Sequence, residues 1–216
     1  MIPVRIAHEP PDFDRLVRKP GARFLAKIAR PTTSDFGTHS YWRRILKELH
    51  DAYGGICAYS CHFIPYDTGA DTVEHFAPKS RVPRKAYEWA NYRLVCQTLN
   101  GRKGDYEDVL DPFGIKNGWF TLDFPSLLVK PMKGLRKSLR TQIVDTCDRL
   151  GLNDESTCLR SRERYVRDFC TGSVSWDYML RDAPFIAREV ERQGLRETLP
   201  SLMRFDGIAD PDWPLM

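Results

Sequence analysis

The sequence predicts an α+β fold in which a small β-containing centre is wrapped by helices. Three observations carry this. Thr72-Val73-Glu74-His75-Phe76 and Tyr92-Arg93-Leu94-Val95-Cys96 are short, strand-like runs bounded by turn residues. Several other stretches space their apolar residues at three- and four-residue steps, the period of an amphipathic helix. The chain has 216 residues, 42% of them hydrophobic, which is enough to bury a core and excludes a wholly disordered polypeptide.

Taken in order, residues 1–40 read as an irregular basic arm, either solvated and lying on the domain or tracking phosphate, because Pro3, Pro10, Pro11, Pro20 and Pro31 recur too often for one long helix. Only Arg23 to Arg30 is an amphipathic candidate there. Tyr41 to Tyr53 follows as a helix: Trp42, Ile45, Leu46, Leu49 and Tyr53 share one face, Ser40 can cap it, and Gly54-Gly55 stops it. The two strand candidates come next, separated by a basic loop between Pro78 and Pro83. Asn100 to Val109 reads as a short polar helix closed by Asp111-Pro112, and Trp119 to Lys130 as a hairpin around Pro125. The last third is helical, with stripes ending at Gly151, starting after Asn153-Asp154, and breaking at Pro184. The expected organisation is an arm over 1–40, a core over 41–115, and a hairpin with helices over 116–216, packed as a single unit.

Composition narrows the function classes. No run approaches the ~18 apolar residues of a membrane span. Nor does the start show an apolar run behind a basic head, so a cytoplasmic protein is expected. In that compartment Cys57, Cys61, Cys96, Cys147, Cys158 and Cys170 are free thiols or metal ligands rather than disulfides. The net charge of +4 permits a nucleic-acid partner without demanding one.

The chemistry concentrates between Val73 and Asp105. Strand, loop, strand and helix, with His75 on the first strand and Asn100 at the helix start, describe a ββα-metal arrangement. His75 can take a proton from water near neutral pH. A Mg2+- or Mn2+-type ion would offset charge on the leaving oxygen of a phosphodiester. Such hard cations prefer oxygen ligands, which Glu74 and Asn100 can supply. Asn91 can hydrogen-bond backbone across the loop and hold His75 in place, and Arg102 and Lys103 lie where a phosphate could be met. Neighbours in a strand point to opposite faces, so Glu74 and His75 need a twist or bulge to serve one centre.

The runs Cys57-Ala58-Tyr59, Val73-Glu74-His75-Phe76-Ala77-Pro78-Lys79-Ser80, Trp89-Ala90-Asn91-Tyr92-Arg93-Leu94-Val95-Cys96 and Asn100-Gly101-Arg102-Lys103-Gly104-Asp105 together resemble the HNH endonuclease family. The resemblance covers about Cys57 to Pro112. It implies a central HNH motif in which His75 is the general base, Asn91 positions it, and Glu74 and Asn100 hold a divalent cation. It further implies a nuclease acting on DNA. The Pro-rich start and Asp182-Ala183-Pro184-Phe185 look like those of HNH proteins in bacterial antiphage modules, some of which work beside an ATPase subunit. Two departures stand out. The family usually has Asp where Glu74 stands. Its structural zinc uses two Cys-x-x-Cys pairs, whereas here Ser60 and Leu99 occupy two of the four positions and Cys61 comes one place late. Cys57, Cys61 and Cys96 alone fall short of four donors, so an apolar-packed substitute is expected instead of zinc.

Basic residues supply the candidate nucleic-acid contacts. Lys79, Arg102 and Lys103 lie beside the motif, and Lys133, Arg136, Lys137 and Arg140 fall on one helical face, which reads by default as a solvated face and alternatively as a phosphate-contacting one. The expected function is a metal-dependent endonuclease, with an HNH-like module that only binds DNA or a partner ATPase as the alternative. His8, His39, His50 and His62 have no partners in the pattern and read as structural or exposed.

Overall fold

The two strand candidates form the antiparallel pair at the centre, the first of them one residue earlier than the alternation placed it. β1 (Asp71–His75) pairs with β2 (Tyr92–Cys96), with Asp71 opposite Cys96, Glu74 opposite Arg93 and His75 opposite Tyr92. The register is unbroken through His75. The computed structural model describes residues 1–204. The final stretch of the predicted third region, 205–216, lies outside the described residues. The class is α+β and mostly helical, 49% helix and 9% strand, with a second small antiparallel sheet of β3 (Phe120–Leu122) and β4 (Val129–Pro131). That sheet is the predicted hairpin, and its connection contains a cis Phe124–Pro125 bond.

The first forty residues differ from expectation. A π-helical turn, Asp14–Arg18, runs directly into helix α1 (Lys19–Lys27), and α2 (Thr33–Thr38) follows. Pro20 does not break the run: it is the second residue of α1, at the junction where the wider π-helical turn gives way to the α-helix. Thr32 and Asp35 form a reciprocal capping box on α2. The segment is not a solvated arm. Phe13, Val17, Phe24 and Phe36 are buried, Val4 N–H donates to the Pro112 carbonyl at 3.1 Å, and Trp89 Nε1 donates to the Ala7 carbonyl at 2.8 Å.

Downstream the helices follow their stripes with adjusted ends. The predicted 41–53 helix divides into a 3-10 turn, Tyr41–Ile45, and α3 (Leu46–Ala52). Ser40 does not cap it; its hydroxyl donates to the Gly37 carbonyl. Gly54 and Gly55 terminate the element at φ of 57° and 70°. Helix α4 is Gln97–Lys103, starting three residues before Asn100 and ending well before Val109. α5 (Lys137–Leu150) ends at the left-handed Gly151. Asp154 caps the π-helical turn Glu155–Leu159 that leads into α6 (Arg160–Cys170). The 176–194 stretch is broken at Ala183 into α7 (Trp176–Asp182) and α8 (Pro184–Arg192), with α9 (Leu199–Met203) beyond. One buried cluster runs from Met1 to Leu199, so arm, centre and helices share a core. Among the described residues no helix is long and apolar enough to cross a membrane.

Candidate functional site

His75 is the last residue of β1, and its ring is packed edge-on against Trp42 and Tyr92 at centroid distances of 4.6 and 5.1 Å. Tyr92 is its cross-strand partner, so the two side chains share a face. Nε2 lies 3.0 Å from the Ala86 carbonyl, which selects the tautomer with a proton on Nε2 and leaves Nδ1 as the basic nitrogen. Burial, reinforced by the charge of Lys79, lowers the imidazole from 6.5 to about 3, so it is neutral at physiological pH. Lys79 itself reaches over the Trp42 ring at 5.6 Å.

Asn91 performs the backbone bridging its position suggested. Its Oδ1 accepts from Ala77 N–H at 2.8 Å, and its Nδ2 donates to the carbonyls of Ala77 and Lys85 at 3.1 and 3.0 Å. It thereby closes both ends of the loop that carries Pro78 to Ala86, and Ala86 in turn anchors His75.

Glu74 and Asn100 belong to the other face. The one-to-one register leaves no bulge between them, and alternation turns Glu74 away from His75. The Glu74 carboxylate is only 1% exposed, and Lys103 Nζ stands 2.8 Å from its Oε1. The Tyr59 hydroxyl donates to its Oε2 at 3.3 Å. Burial pushes this carboxyl up, against the pull of Lys103 and Arg93. Asn100 is the fourth residue of α4 rather than its first, and its Nδ2 donates to Thr72 Oγ1 at 2.9 Å. The residues present therefore do not fit a divalent cation: Glu74 has both oxygens partnered, is closed to water, and faces an ammonium that would repel one. Among the described residues no group of three or more His, Cys, Asp and Glu side chains is placed to hold a metal ion.

Two of the candidate phosphate contacts are also corrected. Lys103 is fully buried and donates to the carbonyls of Phe76 and His75 at 3.0 and 3.3 Å, so it cannot meet a phosphate. Arg102 ties α4 to the end of α5, donating to the Leu150 and Gly151 carbonyls at 3.1 and 3.2 Å and pairing with Asp154 at 2.6 Å. Lys133 and Arg136 precede α5 rather than lying on it, while Lys137 and Arg140 are in its first turn. All four are exposed. In the loop beside His75, Arg84 and Lys85 are exposed as well.

The cysteine set does not converge. Cys57 is buried and its Sγ accepts the Cys96 N–H at 3.5 Å, whereas Cys61, at φ 58°, turns its thiol toward the Tyr59 carbonyl. Burial works to raise Cys57, but hydrogen bonds from Cys96 and Ser60 outweigh it and bring it down, while the same bond holds Cys96 up. Leu99 and Cys158 line the pocket of about 280 Å³ beside Cys96, giving this corner an apolar lining.

The pattern did not single out Trp42 as a neighbour of His75, nor Arg93, which stacks on Phe113 and pairs with Asp111 at 2.8 Å opposite Glu74. Antiparallel register was the available signal for Arg93, since pairing His75 with Tyr92 forces Arg93 beside Glu74. Compared with protein-family models and with curated proteins, the chain matches none.

Proposed function

We propose that the chain acts on nucleic acid as an HNH-type nuclease, with His75 as the general base and DNA as the first substrate to test. The observation that carries this reading is the geometry of the His75 imidazole, fixed through Nε2 on the Ala86 carbonyl so that Nδ1 is the nitrogen left to accept a proton; burial works against this role by lowering the ring's basicity below the neutral range that suits a general base. In the hydrolysis, Nδ1 takes a proton from water as that oxygen attacks phosphorus; the P–O bond to the leaving group breaks with its electron pair going to the leaving oxygen, which takes a proton from solvent. Asn91 holds the loop that presents the anchoring carbonyl. Lys79 supplies positive charge beside the base, and Arg84 and Lys85 extend it along the loop. No step is routed through Glu74 or Asn100.

A second reading is supported by the Glu74–Lys103 pair, which occupies the carboxylate the resemblance assigns to a metal. Here the fold is kept for binding, either to DNA or to a partner such as an ATPase. A plasmid-nicking assay with and without Mg2+ or Mn2+, on the full chain and on His75→Ala, separates the two. Nicking that the substitution removes supports the nuclease. DNA retention by both proteins with no nicking supports the binding module.

A further inference from the structure

We infer that Lys103 supplies from within the fold the positive charge that the resemblance assigns to a bound cation, and that it is a positioning residue for His75. The second half rests on the reading of His75 as a base; the first does not. The ammonium is 0% exposed and has four acceptors around it: Glu74 Oε1 at 2.8 Å and the carbonyls of Phe76, His75 and Gly104 at 3.0, 3.3 and 3.5 Å. An ammonium buried this deeply persists only when paired and hydrogen-bonded, and here its three protons all have acceptors. The Phe76 ring also lies 5.6 Å from Nζ.

What Lys103 holds is the exit of β1. Consecutive residues are fixed by two side chains: the His75 and Phe76 carbonyls by Lys103, and both backbone groups of Ala77 by Asn91. The His75 backbone is thus gripped from one face of the sheet, while its ring is gripped from the other by Ala86, Trp42 and Tyr92. A divalent ion at Glu74 would have to expel the ammonium and open a carboxylate that Tyr59 closes from the other side. The geometry of His75 is therefore set by a covalently attached cation and is independent of a dissociable one.

Two measurements on the ¹⁵N-labelled full chain test this. In a Mn2+ titration, the amides of Thr72, Glu74, His75 and Asn100 should show no saturable paramagnetic broadening. Selective broadening of this group, complete near one equivalent, would overturn the built-in cation, whether or not the chain cuts DNA. The second uses Glu74→Gln with Lys103→Met, which removes both charges together and avoids an unpaired buried ion. The imidazole Nε2–H bonded to Ala86 should exchange with water ~10-fold faster or more than in wild type, while the far-ultraviolet spectrum is retained. An unchanged exchange rate in this folded variant would overturn the positioning role. Should the double variant not fold, the Lys103 ammonium of the wild type is the second readout: held on the His75 and Phe76 carbonyls, its Nζ protons should be protected from exchange with water, and an ammonium in free exchange would overturn the assignment. Absence of cleavage by wild type, with the Mn2+ and exchange results as expected, would sink the nuclease reading and leave the built-in cation standing.

Discussion

Glu74 and His75 are consecutive in the chain, yet they stand on opposite faces of β1, Glu74 against Lys103 and His75 against Trp42 and Tyr92. That single relationship divides the expected catalytic constellation. One face keeps a neutral, anchored imidazole. The other carries the buried Glu74–Lys103 pair and, beside it, the buried Arg93, which reaches out to the partly exposed Asp111. The proposed chemistry therefore depends on the imidazole face, and the ion-pair face bears on it only through the backbone.

Replacing the base should be decisive. His75→Ala is expected to lower cleavage by ~10²-fold or more, the usual contribution of a general base. The ring is buried, so melting temperature falls too, and rates should be compared below the variant's transition. Nicking at the wild-type rate would remove His75 from the mechanism.

Stability should depend on pH through two histidines. Burial lowers both His62 and His75 from 6.5 to about 3. Between those values the unfolded chain binds more protons than the folded one, so stability is complete above about 6.5 and is lost as pH falls toward 3. Each contributes a slope of up to ~1.4 kcal/mol per pH unit in that window. Urea unfolding at pH 4, 5, 6 and 7 measures the slope, and His62→Asn should roughly halve the share due to this pair. An identical slope in the variant would mean that His62 is not held neutral.

Arg102 should act on folding and not on nucleic acid. Arg102→Ala removes the side-chain donor to the Leu150 carbonyl and the pairing with Asp154, while the Gly151 carbonyl keeps the Asp154 N–H, at a cost of about 1–3 kcal/mol. The salt dependence of DNA binding should stay as in wild type. A flatter dependence would show that its guanidinium reaches phosphate after all.

The exposed basic residues make the opposite prediction. Neutralising Arg84 and Lys85 together should weaken DNA binding across all sequences and flatten the slope of log affinity against log salt by about two units. Stability should barely change, because exposed charges add little to folding. The same measurement on Lys137→Gln with Arg140→Gln tests whether the track extends to α5. An unchanged slope there returns Lys133, Arg136, Lys137 and Arg140 to a solvated face, and an unchanged slope for Arg84 and Lys85 removes the loop from the track.

Chain periodicity alone was sufficient for the class, for β2 and, to within one residue, β1, for the hairpin around Pro125 and for the break near Pro184, because each rests on a local repeat or a local breaker. It was sufficient also for Asn91 as a loop clamp, since an Asn at a strand entrance has backbone groups within reach. It misplaced the start of α4 by three residues, since Asn100 is a good capping residue by type but Cys96 already ends the strand. It read the first forty residues as a solvated arm, because prolines signal interruption and say nothing of what Phe13, Val17 and Phe24 pack against.

Alternation warned that Glu74 and His75 would serve one centre only through a twist or bulge, and the unbroken register of β1 with β2 decided against it. Which face receives α4 is a matter of tertiary packing. It brought Lys103, which by sequence is one more basic residue after Asn100, to within 2.8 Å of Glu74 and out of contact with water. Charge and residue type are properties of the chain, but whether a lysine meets a phosphate or a buried carboxylate depends on what surrounds it. Folding decided that by enclosing the ammonium, because once enclosed it had to be paired.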